Sequence, residues 1–439
     1  MAAIKVQSVI DENPLRGINF LILATCMLIM FIDGLDIFLV GKIAPAIAAG
    51  LGETPAAMTL VFLCQQIGLA LGAFLATPLA DRFGRRRMLM LASMAFGLLT
   101  FATSFAGSIE QMALLRGCAG LFLAGGLPMA VALLSELTPR ARRGTFIAMS
   151  FAAYSAGGAA GGAIAAWVID DHGWQSGFWI GGLLPLLSLP MILLIPESPQ
   201  YLAAKSASDA RIGAILRRLR PGLTVSPGDS YLVDDGSRSA DRASLLDIFR
   251  DGRARMTWII WLACFFSMGN IALLAAWLPT FFQEMAGIPI QRFAVFAMIG
   301  FAGGLVGTVA MGWLLDRFRA SRLIPGYYLG LSACIAALAF VPFEASLFVG
   351  VLLAMNFFQT GGQTGLNTLM TRVYPASMRS TGLGWAGGAG RIGGIIAPVA
   401  GGFAVASHLS LANTLLATAV MPLIVALLAL LIRDDRRTG

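Results

Sequence analysis

About twelve apolar runs of roughly 20 residues constrain this chain more than any motif in it, because that length carries an α-helix across the hydrocarbon core of a bilayer. They fall at approximately 17–43, 55–80, 87–106, 110–135, 145–169, 176–196, 254–282, 290–315, 322–342, 345–371, 379–405 and 410–432. A lone strand cannot satisfy its backbone in lipid, so each run reads as a helix. Only 12% of the residues are charged, against about 25% in ordinary soluble domains. The 51 glycines suit helices that pack closely through small side chains.

The net charge of +8 is a topology signal and does not point to nucleic acid. With a cytoplasmic N-terminus, the basic residues collect on one side: Arg82, Arg85, Arg86 and Arg87; Arg140, Arg142 and Arg143; the cluster from Lys205 to Arg255; Arg317, Arg319 and Arg322; then Arg379 and Arg433. The opposite loops hold little beyond Lys42 and Arg292, beside acids such as Asp170, Asp171, Glu284 and Glu344. This positive-inside bias puts both termini in the cytoplasm. The first apolar run is full length and lacks a small-residue cleavage site, so no removable signal peptide is expected. Cys26, Cys64, Cys118, Cys264 and Cys334 all fall inside expected spans and read as packing residues, with no metal site or disulfide framework.

The chain repeats itself. "GLALGAFLATPLADRFGRR" starts at Gly68 and "GGLVGTVAMGWLLDRFRAS" at Gly303, so that Gly72 aligns with Gly307 and Asp81-Arg82-Phe83 with Asp316-Arg317-Phe318 at an offset of 235. Pro139 and Arg143 match Pro375 and Arg379 at nearly the same offset. The division expected is an N-terminal six-helix bundle over 1–196, a cytoplasmic central loop over 197–253 and a C-terminal six-helix bundle over 254–439. A short amphipathic helix at about 207–220 is the one ordered element expected in that loop, its basic face suited to anionic lipid. Parallel repeats with a midplane site between them describe a rocking transporter.

These features resemble the major facilitator superfamily, whose loop signature after the second helix is Gly-x-Leu-x-Asp-Arg-x-Gly-Arg-Arg. Here "TPLADRFGRR" keeps Leu79, Asp81, Arg82, Gly84, Arg85 and Arg86, with Thr77 in place of the first glycine. The second copy keeps that glycine as Gly312 and loses the later one. "PESPQYL", from Pro196, is a further family-like element. The resemblance implies an all-α membrane protein of twelve helices in two pseudo-symmetric bundles. At a helix C-terminus the dipole disfavours Asp81, so it should pair with a nearby arginine. A conformational latch built from Asp81, Arg82, Gly84, Arg85, Arg86, Arg143, Asp316 and Arg317 is one reading; a solvated turn is the other.

Only Asp33, Asp36, Arg116 and Arg391 fall well inside the expected spans. Each costs about 2.5–3.5 kcal/mol at a helix centre on insertion scales, so they must pair or face water. Asp36 lies roughly 9 Å outward of the middle of the first span and Arg116 about 10 Å from the middle of its own, on the same side, at 1.5 Å per residue. A pair between them is expected. Arg391, in "GGAGRIGGIIAP", falls near the midplane among glycines. Its guanidinium can clamp a carboxylate with two parallel hydrogen bonds or serve as a structural partner of Asp33. Asp33 and Asp36 sit at i, i+3 on one helical face, expected beneath a water-filled cleft. Burial and mutual repulsion oppose ionising both, so the pair can load a proton on one side and release it on the other, or merely neutralise the two arginines. Asn356, Gln359, Gln363 and Asn367 form one polar stripe, lining a cavity or bonding between helices. Gln65, Gln66 and Tyr154 could face the same cleft, with Trp277 and Trp385 as apolar walls.

Within the superfamily the chain looks like the aromatic acid:proton symporters. The carrying stretches are "DGLD" at 33–36, "LLRGCAGLFLAGGLPMAVALLSELTPRARRG" from Leu114, and "GRIGGIIAP" from Gly390. The resemblance associates Asp33, Gly34 and Asp36 with transport. It implies proton-coupled import of a small aromatic carboxylate across a bacterial inner membrane; a monomer without cofactor is the separate expectation. Carriers of other organic acids or sugars, and proton-antiport efflux, share much of this pattern. A membrane enzyme is disfavoured, since His172 and His408 both lie near the outer face and no His-Glu-x-x-His or Gly-x-Ser-x-Gly occurs. None of the three lysines sits in a phosphate-cradling loop, so an ATP-driven pump is disfavoured too. A non-transporting sensor on a transporter body stays open, although no signalling domain is recognisable.

Overall fold

A computed structural model describes the chain except for residues 1–2, 13–14, 16, 207–209, 221–222, 224–229, 233–247, 251–252, 344–345, 375–378 and 433–439. Twelve long helices dominate it. Those of the first half are helix 1 (Gly17–Gly50), helix 2 (Met58–Phe83), helix 3 (Arg85–Thr103), helix 4 (Ile109–Leu123 continuing as Gly126–Leu137), helix 5 (Arg140–Trp167) and helix 6 (Gln175–Leu194). The second half holds helix 7 (Ala254–Ala286), helix 8 (Ile290–Arg317), helix 9 (Ala320–Leu338), helix 10 (Ser346–Val373), helix 11 (Arg379–Ala406) and helix 12 (Leu411–Leu430). Among the described residues, nine are long and apolar enough to cross a membrane by length and composition. Helices 3, 9 and 10 pack among these: helix 3 on helix 6, helix 9 on helix 12, helix 10 on helix 8.

Both halves pack by one scheme. Helix 1 lies on 5, 2 on 4 and 3 on 6; in the same way 7 lies on 11, 8 on 10 and 9 on 12. The repeated glycines make the close approaches. A Cβ added at Gly68 or Gly72 would strike the carbonyl of Gly117 or Leu121; at Gly303 or Gly307 it would strike that of Leu353 or Phe357. The 235-residue offset therefore carries the same backbone contact into each half. The halves meet through helices 1 and 7, 2 and 11, and 5 and 8. Gly41 abuts the carbonyl of Ala275, Gly402 abuts Thr59, and Phe62 packs edge-on against Trp277 at 5.2 Å. These contacts close the end away from the arginine-rich loops.

Helix 1 runs seven residues past its expected end, through Pro45, and takes Lys42 inside. The expectation that Lys42 lies in a loop is corrected: the residue is 4% exposed. At the arginine-rich end, Ala3–Lys5 pairs in parallel with Ser230–Leu232, the one sheet among the described residues. The helices Val6–Asp11 and Ala210–Leu219 bury Val9, Ile10, Ile212 and Leu216 against Ile22 and Leu134. Little of the central loop beyond residue 220 is described.

Candidate functional site

The four intramembrane charges do not act as one cluster. Arg116 on helix 4 donates from Nη1 to Asp36 Oδ1 at 2.9 Å and from Nη2 to Oδ2, a two-pronged ion pair. Nη1 also approaches Thr100 Oγ1 at 3.4 Å, and the Phe178 ring lies 5.8 Å from the guanidinium. Arg116 is 0% exposed and Asp36 2%. Packed inside the first bundle between helices 1, 3, 4 and 6, neither residue lines the two cavities at the interface of the halves. This is the pair expected between them, and it stands apart from the cavity that Arg391 lines. The reason is angular: three residues leave side chains about 60° apart on a helix, enough to turn Asp36 to Arg116.

Asp33 behaves differently. It borders a narrow gap with Ser93, Phe122 and Gly126, and among the described residues no carboxylate or guanidinium hydrogen-bonds to it. Arg391 and Tyr154 both lie within electrostatic reach of it. It stands four and seven residues before Ile37 and Val40, on the same stripe of helix 1. Those two residues line a cavity of about 220 Å³ between the halves. Gly34 makes this possible, because a side chain there would collide with the carbonyl of Tyr154.

Arg391 lines that cavity, with Gln65, Gln66 and Tyr154 and with apolar Met268 and Ile271. Its Nη1 donates to Leu69 O at 3.2 Å, and Gln66 Nε2 donates to Gly394 O at 2.9 Å, so helices 2 and 11 are tied across the interface at the cavity itself. Gly390 and Gly394, also in the lining, let the Met268 and Gln66 side chains approach helix 11 beside the guanidinium.

A second cavity of about 70 Å³ adjoins the first; Ile271 and Ala275 line both. Asn356 and Gln359 of the helix 10 stripe reach this one, together with Phe38, Phe301 and Lys42. Lys42 is a residue that sequence reasoning missed. Its Nζ donates to Gly158 O at 2.6 Å and sits 4.9 Å from the Phe301 ring centre. Of the remainder of the stripe, Gln363 bonds to helix 7, and exposed Asn367 bonds only to Gln363 on its own helix. Ser267 Oγ donates to Gln363 Oε1 at 2.6 Å and contacts Tyr328 Oη, while Gln363 Nε2 donates to Asn367 Oδ1 at 3.0 Å. Of the two expected aromatic walls, Trp277 is fully buried and donates to Pro398 O, and Trp385 stacks on Trp261. Neither lines these cavities.

At the arginine-rich end, Arg85 pairs with Glu136 on helix 4, a second missed residue, and Ser198 Oγ donates to the same carboxylate. The Arg86 backbone N–H donates to Glu197 at 2.9 Å while its guanidinium takes the Ile192 and Leu193 carbonyls ending helix 6. Asp81 is exposed and only within electrostatic reach of Arg85, whose direct partner is Glu136 in place of Asp81. Exposed Arg82 lies over the Phe83 ring, Arg317 over that of Trp313, and Arg143 borders the Glu136 pocket. The Asp316 and Arg379 side chains lie outside the described set. Gly84, at φ +101°, holds the turn, and a Cβ there would meet the Glu197 carboxylate. Gly84→Ala should lower stability by about 1–3 kcal/mol, read as the thermal midpoint in detergent. Gly52→Ala, at φ +72° in open space, should cost less.

A model of the Major Facilitator Superfamily matches residues 26–398. The gallate transporter of Pseudomonas putida is 36% identical over 438 residues, covering 99% of this chain and 96% of its own. The 4-hydroxybenzoate transporter PcaK of the same organism is 32% identical over 395 residues, 90% of this chain and 88% of its own. Among solved structures, a D-xylose-proton symporter superposes with a TM-score of 0.74 at 16% identity, over 96% of this chain and 99% of that one. The inward open xylose transporter XylE from E. coli gives 0.72 at 15% identity, over 96% and 98%.

Proposed function

Since the chain belongs to the Major Facilitator Superfamily, we propose that it imports a small aromatic carboxylate together with protons, by alternating access across a bacterial inner membrane. The observation that carries this reading is Arg391: a guanidinium with one backbone partner, in an otherwise largely apolar cavity between the halves, within reach of Asp33. A planar cation beside apolar walls suits a carboxylate on a ring. The names of the gallate and hydroxybenzoate relatives support that class of cargo.

The two units that rock are 1–196 and 254–439, with 197–253 and both termini on the cytoplasmic side. With the cavity loaded, Asp33 exchanges its proton as Arg391 gains or loses its carboxylate, coupling the two movements. The Arg85–Glu136 pair and the bonds of Arg86 to Ile192, Leu193 and Glu197 hold helices 3, 4 and 6 and the start of the central loop together at the cytoplasmic end of the first half. The protein acts as a monomer in this scheme.

Proteoliposomes with an imposed pH gradient, challenged with aromatic and aliphatic acids, test it. Aromatic acids should accumulate with inward proton flow; accumulation of none of them would overturn it, and gradient-driven export would assign the chain to efflux. Arg391→Lys keeps the charge but loses the planar fork. A charge-assisted hydrogen bond is worth about 1.5–3 kcal/mol, so apparent affinity should fall roughly 10- to 150-fold, measured by substrate competition.

A further inference from the structure

Lys42 is a buried basic side chain, and among the described residues it has no acid beside it. It lies inside helix 1, 4% exposed. Gly158 O accepts one of its hydrogen bonds and the Phe301 ring covers it; among the described residues no carboxylate pairs with it. An ammonium has three donors, and a buried charge is costly unless paired and hydrogen-bonded. Here the missing partner has a place to come from. Lys42 borders the cavity that adjoins the Arg391 cavity across Ile271 and Ala275, and Asn356 and Gln359 bring further side-chain amides to the same space.

Phe38, Phe293 and Phe301 supply apolar faces there. Arg391 and Lys42 thus each border one of two adjoining spaces. Arg391 lines the cavity that Ile37 and Val40 reach, Lys42 the one that Phe38 reaches, and the two share only Ile271 and Ala275 in their linings. One carboxylate occupies one of these spaces, whereas a rigid aromatic system with an acid at each end can occupy both.

We propose that Lys42, Asn356 and Gln359 form a second anion subsite, so that the cargo of this chain is an aromatic acid carrying two carboxylates. This rests on Arg391 holding the first carboxylate, as argued above. Neutral hydroxyl groups would be matched by the amides alone; the ammonium calls for charge. No bond is made or broken, and the subsite selects the cargo.

The test compares two ligands of nearly one shape: benzene-1,4-dicarboxylate and its monomethyl ester. Affinity is read by competition against a labelled aromatic acid on purified full-length protein, and uptake in proteoliposomes. In the wild type the dicarboxylate should compete at least tenfold better than the ester. In Lys42→Gln the ratio should fall to within twofold, and Lys42→Arg should restore at least threefold of it. A wild-type ratio near one, or a ratio that survives Lys42→Gln, overturns the proposal. Because the ester pair is measured on the wild type, a variant that fails to fold does not rescue the idea. If monocarboxylates compete and the ratio is one, the second subsite alone falls; if no aromatic acid competes, the reading of Arg391 falls with it.

Discussion

Replacing Asp33 by Asn should abolish accumulation of the cargo against its gradient while leaving the folded protein in the membrane. Of the two carboxylates that sit deep in helix 1, Asp36 is held at both oxygens by Arg116. Releasing it would strand a sealed guanidinium. Among the described residues Asp33 has no such partner; it borders a narrow gap on one side and stands within reach of Arg391 on the other. It is the acid whose charge can change without breaking the bundle. Asn keeps the shape and removes both the proton and the cost of burying a charge, so no loss of stability is expected. Two assays separate coupling from movement. Counterflow of labelled against unlabelled cargo needs only the rocking of the halves and should persist. The concentration ratio reached under an imposed pH gradient should drop to about one, since no transmembrane proton step remains to be linked to binding. A variant that still concentrates cargo would place the proton elsewhere in the molecule.

What could be read in advance follows from the kind of partner each residue has. The duplicated glycines were legible because a small residue at a fixed spacing has one cheap use, backbone contact between helices, and both copies use it. The Asp36–Arg116 pair was legible because two opposite charges at one depth in lipid have few other choices. Lys42 was not legible. Its partners are a carbonyl and a ring face, and these leave no mark in a sequence, so the charge read as the end of a span. Glu136 went unnoticed for a related reason: it lies near the end of an apolar helix, where an acid looks solvated, yet it is 5% exposed and paired to Arg85. The helix 10 stripe marks the limit of periodicity. Spacing placed Asn356, Gln359, Gln363 and Asn367 on one face, but that face passes from a cavity to Ser267 of helix 7 along its length.

Removing either member of the Arg116–Asp36 pair should be more damaging than removing both. The pair is closed off from water, with Phe178 and Thr100 completing its surroundings. Desolvating two charges is expensive, and their attraction roughly offsets that only while both are present. Asp36→Asn leaves an uncompensated guanidinium, and Arg116→Leu leaves an uncompensated carboxylate. Each should cost about 3–5 kcal/mol, seen as a large drop in the thermal midpoint in detergent or as loss of the protein from the membrane. The double substitution Asp36→Leu with Arg116→Met removes both desolvation penalties and keeps apolar volume, and should recover most of the loss. A cycle of the four proteins isolates the coupling. If the pair instead serves transport, the double variant would be stable yet unable to exchange cargo. Because the cavity is lined by Ile37 and Val40 and by neither charged group, counterflow in the double variant should stay within a fewfold of wild type, and its complete loss would return these two residues to the transport pathway.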